Sequence, residues 1–390
     1  MRIRNIIEAF IPHGILELTK KHLTKNIFNC FRRTYNKFTI RENSVLIIEF
    51  TNYHGENFPS LIKYLLDLGY NVDVFLRKTK ENKNHSNRND LGLFSNFAGD
   101  LRVKYKFISS MDMNLLLRSP VATTYKHVVV VTFVDRMKQS HFYGVDFFRL
   151  KPVCMMHYPD IANPYFKTNK IIAPGNMDCL DRKPPYLVSS HYFGKFTKKN
   201  KSDTTIFITL NTQDLPRRNL YLLFFACDNL YRKGITNFCV KVIGDGLSIP
   251  ERFHNNFQIF RFLDYQDMFA EIASSDFFLA LIDQASVEYT NKASGSYGLS
   301  YGFLKPILLH RKFSNVLGFT DENSILYNDN SNLSDAMEEC INMSNDDYWT
   351  LISSLEISGK ELYDVSLTNF KEALEAQIQY VSYDKQLDWA

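Results

Sequence analysis

The chain has 390 residues, a formal net charge of +4, 45% hydrophobic residues and 23% charged ones; this excludes disorder and fits two folded domains with extras. The charge is uneven: residues 1–40 hold eight basic and two acidic residues, leaving 38 basic and 40 acidic for the rest. A body at −2 is not a general polyanion binder, so no nucleic-acid partner is expected.

The predicted elements begin with a helical pattern over residues 3–31. Ile3, Ile6, Ile7 and Phe10 share one face; after the break at Pro12 and Gly14, a second stripe runs through Ile15, Leu16, Leu23, Ile27 and Phe31. Lys20, Lys21, Lys25, Arg32 and Arg33 lie between and beyond these positions, a basic amphipathic pattern suited to an anionic membrane surface. The same stripe also reads as a helix packed on the body with a solvated charged face. No stretch reaches the roughly 18 apolar residues that span a bilayer. Glu8 interrupts the apolar run 6–11, so no secretory leader is expected. The six cysteines (Cys30, Cys154, Cys179, Cys227, Cys239, Cys340) form no Cys-x-x-Cys pair, which argues against a disulfide framework or zinc site and fits a reducing compartment.

Residues 44–50 (Ser-Val-Leu-Ile-Ile-Glu-Phe) form the kind of apolar run expected of a buried parallel strand. A helix follows over 58–68, stopped by Gly69, and then a strand over 71–76, which makes a βαβ start. Residues 78–90 are rich in Asn and Lys and read as a surface loop. Further strands are expected at 127–133, 153–157 and 170–173. Periodicity is lost over 174–203, where Pro174, Gly175, Pro184 and Pro185 mark a linker. Strand and helix alternation then restarts: strands at 205–210, 239–243, 258–262, 276–282 and 306–310, helices at 219–231, 265–273 and 295–302. From Leu333 the pattern is helical to the end. The fold class expected is α/β: two Rossmann-like domains facing a cleft, with a helical N-terminal extension and a helical tail. The domains expected are 1–40, a basic amphipathic extension; 41–190, the first Rossmann-like domain; 191–345, the second; and 346–390, helices packing back towards the first.

Ligands of open parallel sheets sit beyond the carboxyl ends of the strands. In the second domain the loop after 276–282 leads into Ser294, Gly295 and Ser296 at a helix start, where free N–H groups, hydroxyls and the helix dipole suit a phosphate. Lys292 adds a full charge beside it. Arg217 and Arg218 open the first helix of the same domain and suit a diphosphate, because guanidinium grips oxyanions bidentately. Gly244 and Asp245 end the strand 239–243 in a turn that lets a nucleotide lie against the backbone. In the first domain, His54 and Glu56 follow the first strand and His157 ends another, so all three are candidates to face the cleft. As ordinary structure the same residues read as an N-cap, solvated charge, a loop histidine and a capping Glu. His191, in the hinge region, reads as structural.

Taken in order, these motifs resemble the C-terminal lobe of GT-B glycosyltransferases, closest to the bacterial mannosyltransferase-like group that builds surface polysaccharides. The residues carrying the likeness are the strand with Arg217, Arg218 and Asn219 after it; Val242 to Gly246; the strand from Asp276; and 294–296 followed by Gly302 to Ile307. The resemblance implies sugar transfer from a nucleotide-sugar donor, UDP- or GDP-linked, held in the second domain, to a glycan or lipid-linked acceptor. It implies O-antigen, capsule or lipopolysaccharide synthesis at the cytoplasmic face of the inner membrane, which the N-terminal helix would touch. It also implies that a histidine after a late strand of the first domain, best matched by His157, lies near the transferred sugar. Glu56 or His54 would serve as base in an inverting mechanism. No cofactor is expected, and no metal, since the Asp-x-Asp signature of the other glycosyltransferase fold does not occur at the end of a plausible strand. Many retaining members carry two Glu residues eight apart, the second five before the glycine of a Gly-x-Pro step. Counting from Gly302 puts Tyr297 and Tyr289 at those places, neither acidic. Two rivals remain open: another transferase on this fold, pyruvyl or polyol-phosphate, and a non-catalytic scaffold of a polysaccharide assembly complex.

Overall fold

The computed structural model describes residues 40–50, 54–77, 91–133, 145–157, 168–177, 185–210, 220–244, 248–261, 263–286, 289 and 294–378. The predicted basic helix, the loop 78–90, Arg217, Arg218, Asp245 and Lys292 lie outside these residues. Two parallel sheets make up the body. The first contains β1 (Ser44–Glu49), β2 (Asn71–Arg77), β3 (Val103–Ile108), β4 (His127–Phe133), β5 (Val153–Met156), β6 (Ile171–Ala173) and β7 (Tyr186–Leu187), in the order β3-β2-β1-β4-β5-β6-β7. The second contains β8 (Thr205–Leu210), β9 (Phe238–Ile243), β10 (Phe257–Phe260), β11 (Phe277–Leu279), β12 (Ile307–His310) and β13 (Ile325–Tyr327), in the order β10-β9-β8-β11-β12-β13. The described helices include α1 (Phe58–Asp67), α2 (Ser110–Arg118), α3 (Leu220–Arg232), α4 (Tyr265–Ser274), α5 (Gly295–Phe303), α6 (Leu333–Asn342) and α7 (Asn345–Glu375).

Both sheets are doubly wound, so each has a point where the strand order reverses: between β1 and β4 in the first lobe, between β8 and β11 in the second. β1 is buried on both faces, which is why its sequence is a continuous apolar run rather than an alternating one. Val45 and Ile47 enter a core shared with α1, while Leu46 and Ile48 enter the core on the opposite face. α1 starts with Pro59 in its first turn, buries Leu61, Ile62, Leu65 and Leu66, and is followed by Gly69 in the left-handed region. The sequence reading assigns nothing to β3, α2 and β13. β3 is an edge strand with Lys104 and Tyr105 exposed, so it lacks the buried-strand pattern, and β13 is three residues long.

The two lobes share one core. The linker backbone at Ser190 and His191 and the Phe193 ring lie against Gly298 and Gly302 of α5: a methyl added to Gly298 would meet Ser190 O at 1.9 Å, and one added to Gly302 would meet His191 O at 2.5 Å. α7 begins in the second lobe, where the Tyr348 hydroxyl donates to Asp276 O, and ends on the first, where Lys170 Nζ donates to Ala373 O and Leu374 O at 3.1 and 3.0 Å. The buried ammonium thus caps a helix C-terminus, where positive charge is favoured. Burial pushes Lys170 down to about 8. His191 is buried too and its Nε2 bonds Gly359 O of α7 at 3.1 Å, in keeping with a structural role.

Asp276 anchors the start of the second sheet. It is fully buried, accepts from Ile206 N at 2.8 Å and from Ser202 N at 3.3 Å, and pairs with Lys199 Nζ at 3.0 Å. Asp276→Ala leaves a lysine and two amides without this acceptor and is expected to cost about 3–5 kcal/mol, read as a lower urea midpoint at unchanged m-value. A loss below about 1 kcal/mol would show that the carboxylate carries no such weight.

Candidate active site

The chain leaves β1, and a short 3-10 turn, Gly55–Asn57, leads into α1. That turn puts His54 and Glu56 above the first lobe's switch point. His54 Nδ1 lies 3.3 Å from Glu56 Oε1, with side chains 26% and 22% exposed. His157 follows β5, two strands away across β4. Its ring stacks on that of His54 with centroids 3.9 Å apart and planes 7° from parallel. His157 is buried, and its Nε2 lies 3.0 Å from Val131 O on β4, so Nε2 carries the proton and donates it to that carbonyl.

Across the cleft, α5 starts above the second lobe's switch point. Ser294 is its N-cap: the side-chain oxygen accepts from Ser296 N at 3.4 Å, and Ser294 and Ser296 are both buried. Gly295 between them is exposed and faces the first lobe. A methyl added to Gly295 would lie 3.6 Å from Glu56 Oε1 and 3.9 Å from Glu56 Cγ. The Glu56 carboxylate therefore stands at the positive end of α5, where an anion is favoured. The fold brings together six of the eleven residues singled out from sequence: His54, Glu56, His157, Ser294, Gly295 and Ser296. Gly244 follows β9, with its N–H donating to Phe260 O at 3.0 Å. The remaining four, Arg217, Arg218, Asp245 and Lys292, lie outside the described residues. Among the described residues no three of His, Cys, Asp and Glu gather as a metal site, and no helix is long and apolar enough to cross a membrane.

Two features escape sequence reasoning. The lobes touch through glycines: a methyl on Gly55 would meet Tyr265 Oη at 2.7 Å, and one on Gly92 would meet Gln266 N at 2.5 Å. Only the folded approach of the first lobe to the N-terminus of α4 gives these glycines a purpose. Gly92→Val is expected to wedge the lobes apart, at a cost of about 1–3 kcal/mol. Small-angle scattering should show a larger radius of gyration, and an unchanged radius with unchanged melting would refute the contact.

The second feature corrects the count made from Gly302. That glycine lies inside α5 beneath the linker; the residue in the left-handed turn two before Pro306 is Leu304, at φ 52. Counting from Leu304 moves the two positions to Leu299 and Asn291, because the turn that ends the helix, not the nearest glycine, sets the register. Neither position is acidic.

Two doubly wound lobes facing a cleft, joined by a linker and crossed by a C-terminal helix, define the GT-B fold. No family model and no curated protein matches the chain. Among solved structures, it is similar to a glycosyltransferase from Rickettsia africae ESF-5, at 10% identity and a TM-score of 0.52, over 87% of this chain and 100% of that one. It is also similar to AviGT4, a glycosyltransferase involved in avilamycin A biosynthesis, at 11% identity and a TM-score of 0.53, over 86% of this chain and 99% of that one. At these identities the likeness is one of fold.

Proposed function

We propose that this chain is a metal-independent glycosyltransferase that moves a hexose from a UDP- or GDP-linked donor to a glycan or lipid-linked acceptor of a bacterial surface polysaccharide. The observation that carries this is the meeting of the His54–Glu56 pair with the N-terminus of α5 across the cleft, each above its lobe's switch point. The α5 N-terminus, with Ser294, Gly295 and Ser296, would receive the donor diphosphate. Arg217, Arg218 and Lys292 would add charge, and Gly244 and Asp245 would border the nucleotide. Donors placed where charge develops stabilise the leaving diphosphate, usually the largest catalytic contribution. The His54–Glu56 pair would take the proton of the acceptor hydroxyl as that oxygen attacks the sugar, in an inverting displacement.

A screen of UDP, GDP and their sugars for a raised melting temperature tests the reading, followed by product linkage analysis of the best donor. A ligand at 100 times its Kd stabilises by about 2.7 kcal/mol, a shift of several degrees. If no nucleotide or nucleotide sugar shifts melting at millimolar concentration, the reading fails. Deleting residues 1–38 is expected to lower binding to anionic vesicles and to leave nucleotide binding intact. Unchanged vesicle binding would remove the membrane from the proposal.

A further inference from the structure

We infer that His157 is a positioning residue, which holds the His54 imidazole in the orientation that accepts the acceptor's proton, and that it does not itself touch the transferred sugar. This rests on the sugar-transfer reading above. Three observations carry it. The two rings are 3.9 Å apart and nearly parallel, so one face of each imidazole covers the other. His157 Nε2 is committed to Val131 O in the middle of the sheet. His157 is 4% exposed, whereas the side chains of His54 and Glu56 are about a quarter exposed towards the cleft (26% and 22%).

Each contact fixes a different freedom of His54. Glu56 accepts from Nδ1, which sets the tautomer and leaves Nε2 as the basic nitrogen. The flat surface of His157 sets the plane of the ring, which a hydrogen bond along Nδ1 to Glu56 does not by itself define. The anchor to β4 passes the rigidity of the sheet to that surface. In the step, the acceptor oxygen forms a bond to the anomeric carbon and its proton moves to His54 Nε2. The bond from that carbon to the diphosphate oxygen breaks, and its electron pair leaves on the diphosphate at the α5 N-terminus. The imidazolium on His54 then lies between the Glu56 carboxylate and the π face of His157, both of which favour it.

Three variants separate this role from a direct contact with sugar. His157→Phe keeps a flat ring under His54 and loses the bond to Val131. His157→Gln keeps a donor for Val131 and loses the ring, and His157→Ala loses both. If the ring is what matters, His157→Phe keeps kcat within about fivefold of the parent, while the Gln and Ala variants lose about 10²-fold in kcat with donor KM unchanged. A donor KM raised about tenfold in all three, or a Gln variant as active as the parent, would overturn the positioning role.

The imidazole NMR signals of His54 provide a readout that needs no turnover. They should keep a ring-current displacement in His157→Phe and lose it in His157→Ala; identical signals in the parent and His157→Ala would show that the rings do not stack in solution. If no nucleotide sugar is turned over by the parent, the sugar-transfer reading fails and the proton-holding role with it, while the NMR comparison still decides the stack.

Discussion

In a Glu56→Gln variant, nucleoside diphosphate binding is expected to tighten by about fivefold while sugar transfer falls by about 10²- to 10³-fold. The opposite signs follow from the two neighbours of one carboxylate. On one side Glu56 stands 3.6 Å from where a methyl on Gly295 would lie, at the α5 N-terminus proposed to receive the diphosphate. An incoming diphosphate meets a like charge there. Removing a unit charge about 4 Å away is worth about 1 kcal/mol in water and more in a cleft, and the partial exposure of Glu56 keeps the gain near the lower figure. On the other side Glu56 accepts from His54, and an amide of the same shape neither sets the tautomer as firmly nor stabilises the imidazolium. Calorimetric titration with UDP and GDP, together with kcat on the identified donor, checks both halves. Weaker nucleotide binding would show that the carboxylate does not oppose the phosphate, and unchanged transfer would remove it from the proton path.

The parts of the fold legible in sequence are those whose burial is complete. β1, β4 and β8 are largely apolar runs because parallel strands covered on both faces meet little water, and their bounds follow closely from the runs. β3 is illegible for the converse reason: at an edge, Lys104 and Tyr105 are tolerated and break the pattern. The candidate site divides the same way. That His54, Glu56, His157 and Ser294 lie at carboxyl ends of strands or helix starts is a local fact, readable from strand–loop–helix order. That His54 stacks on His157 depends on β1 and β5 flanking β4, which no pairing rule extracts from residues 103 positions apart. The closeness of Glu56 to Gly295 depends on how the lobes dock, and that is set by glycines at 55 and 92 whose local sequence is unremarkable to pattern reading. Leu304 shows the limit from another side. The reading of Gly302 follows residue preference, yet the left-handed turn falls on a leucine, whose backbone is held there by bonds from its N–H to Ser300 O and Tyr301 O and by Pro306 two residues on.

The junction between the lobes is expected to be the part most sensitive to acid. His191 lies in the linker beneath α7, buried, with its ring edge-on to Tyr301 and Tyr363 and its Nε2 on Gly359 O. Burial pushes its pKa down to about 4, against the opposing pull of the Gly359 and Ser189 backbone. An unfolded histidine titrates near 6.5, so between about 6.5 and 4 the unfolded chain binds a proton that the folded chain refuses. Stability is therefore complete above pH 6.5 and is lost as pH falls through that window, by about 3 kcal/mol from His191 at pH 4. His127 is also lowered to about 4, by burial and by Lys170 and Lys126, and adds loss in the same direction, reduced by its partial solvation. Urea unfolding at intervals from pH 7.5 to 4.5 should show this slope. His191→Gln retains a donor for Gly359 O without a titrating ring; it is expected to be less stable than the parent at pH 7.5 and to lose less below pH 6.5. Because the carboxylates are common to both proteins, the difference between the two curves isolates His191. Parallel curves would mean that His191 takes up its proton in the folded state at an ordinary pH, and that the seam under α7 admits water.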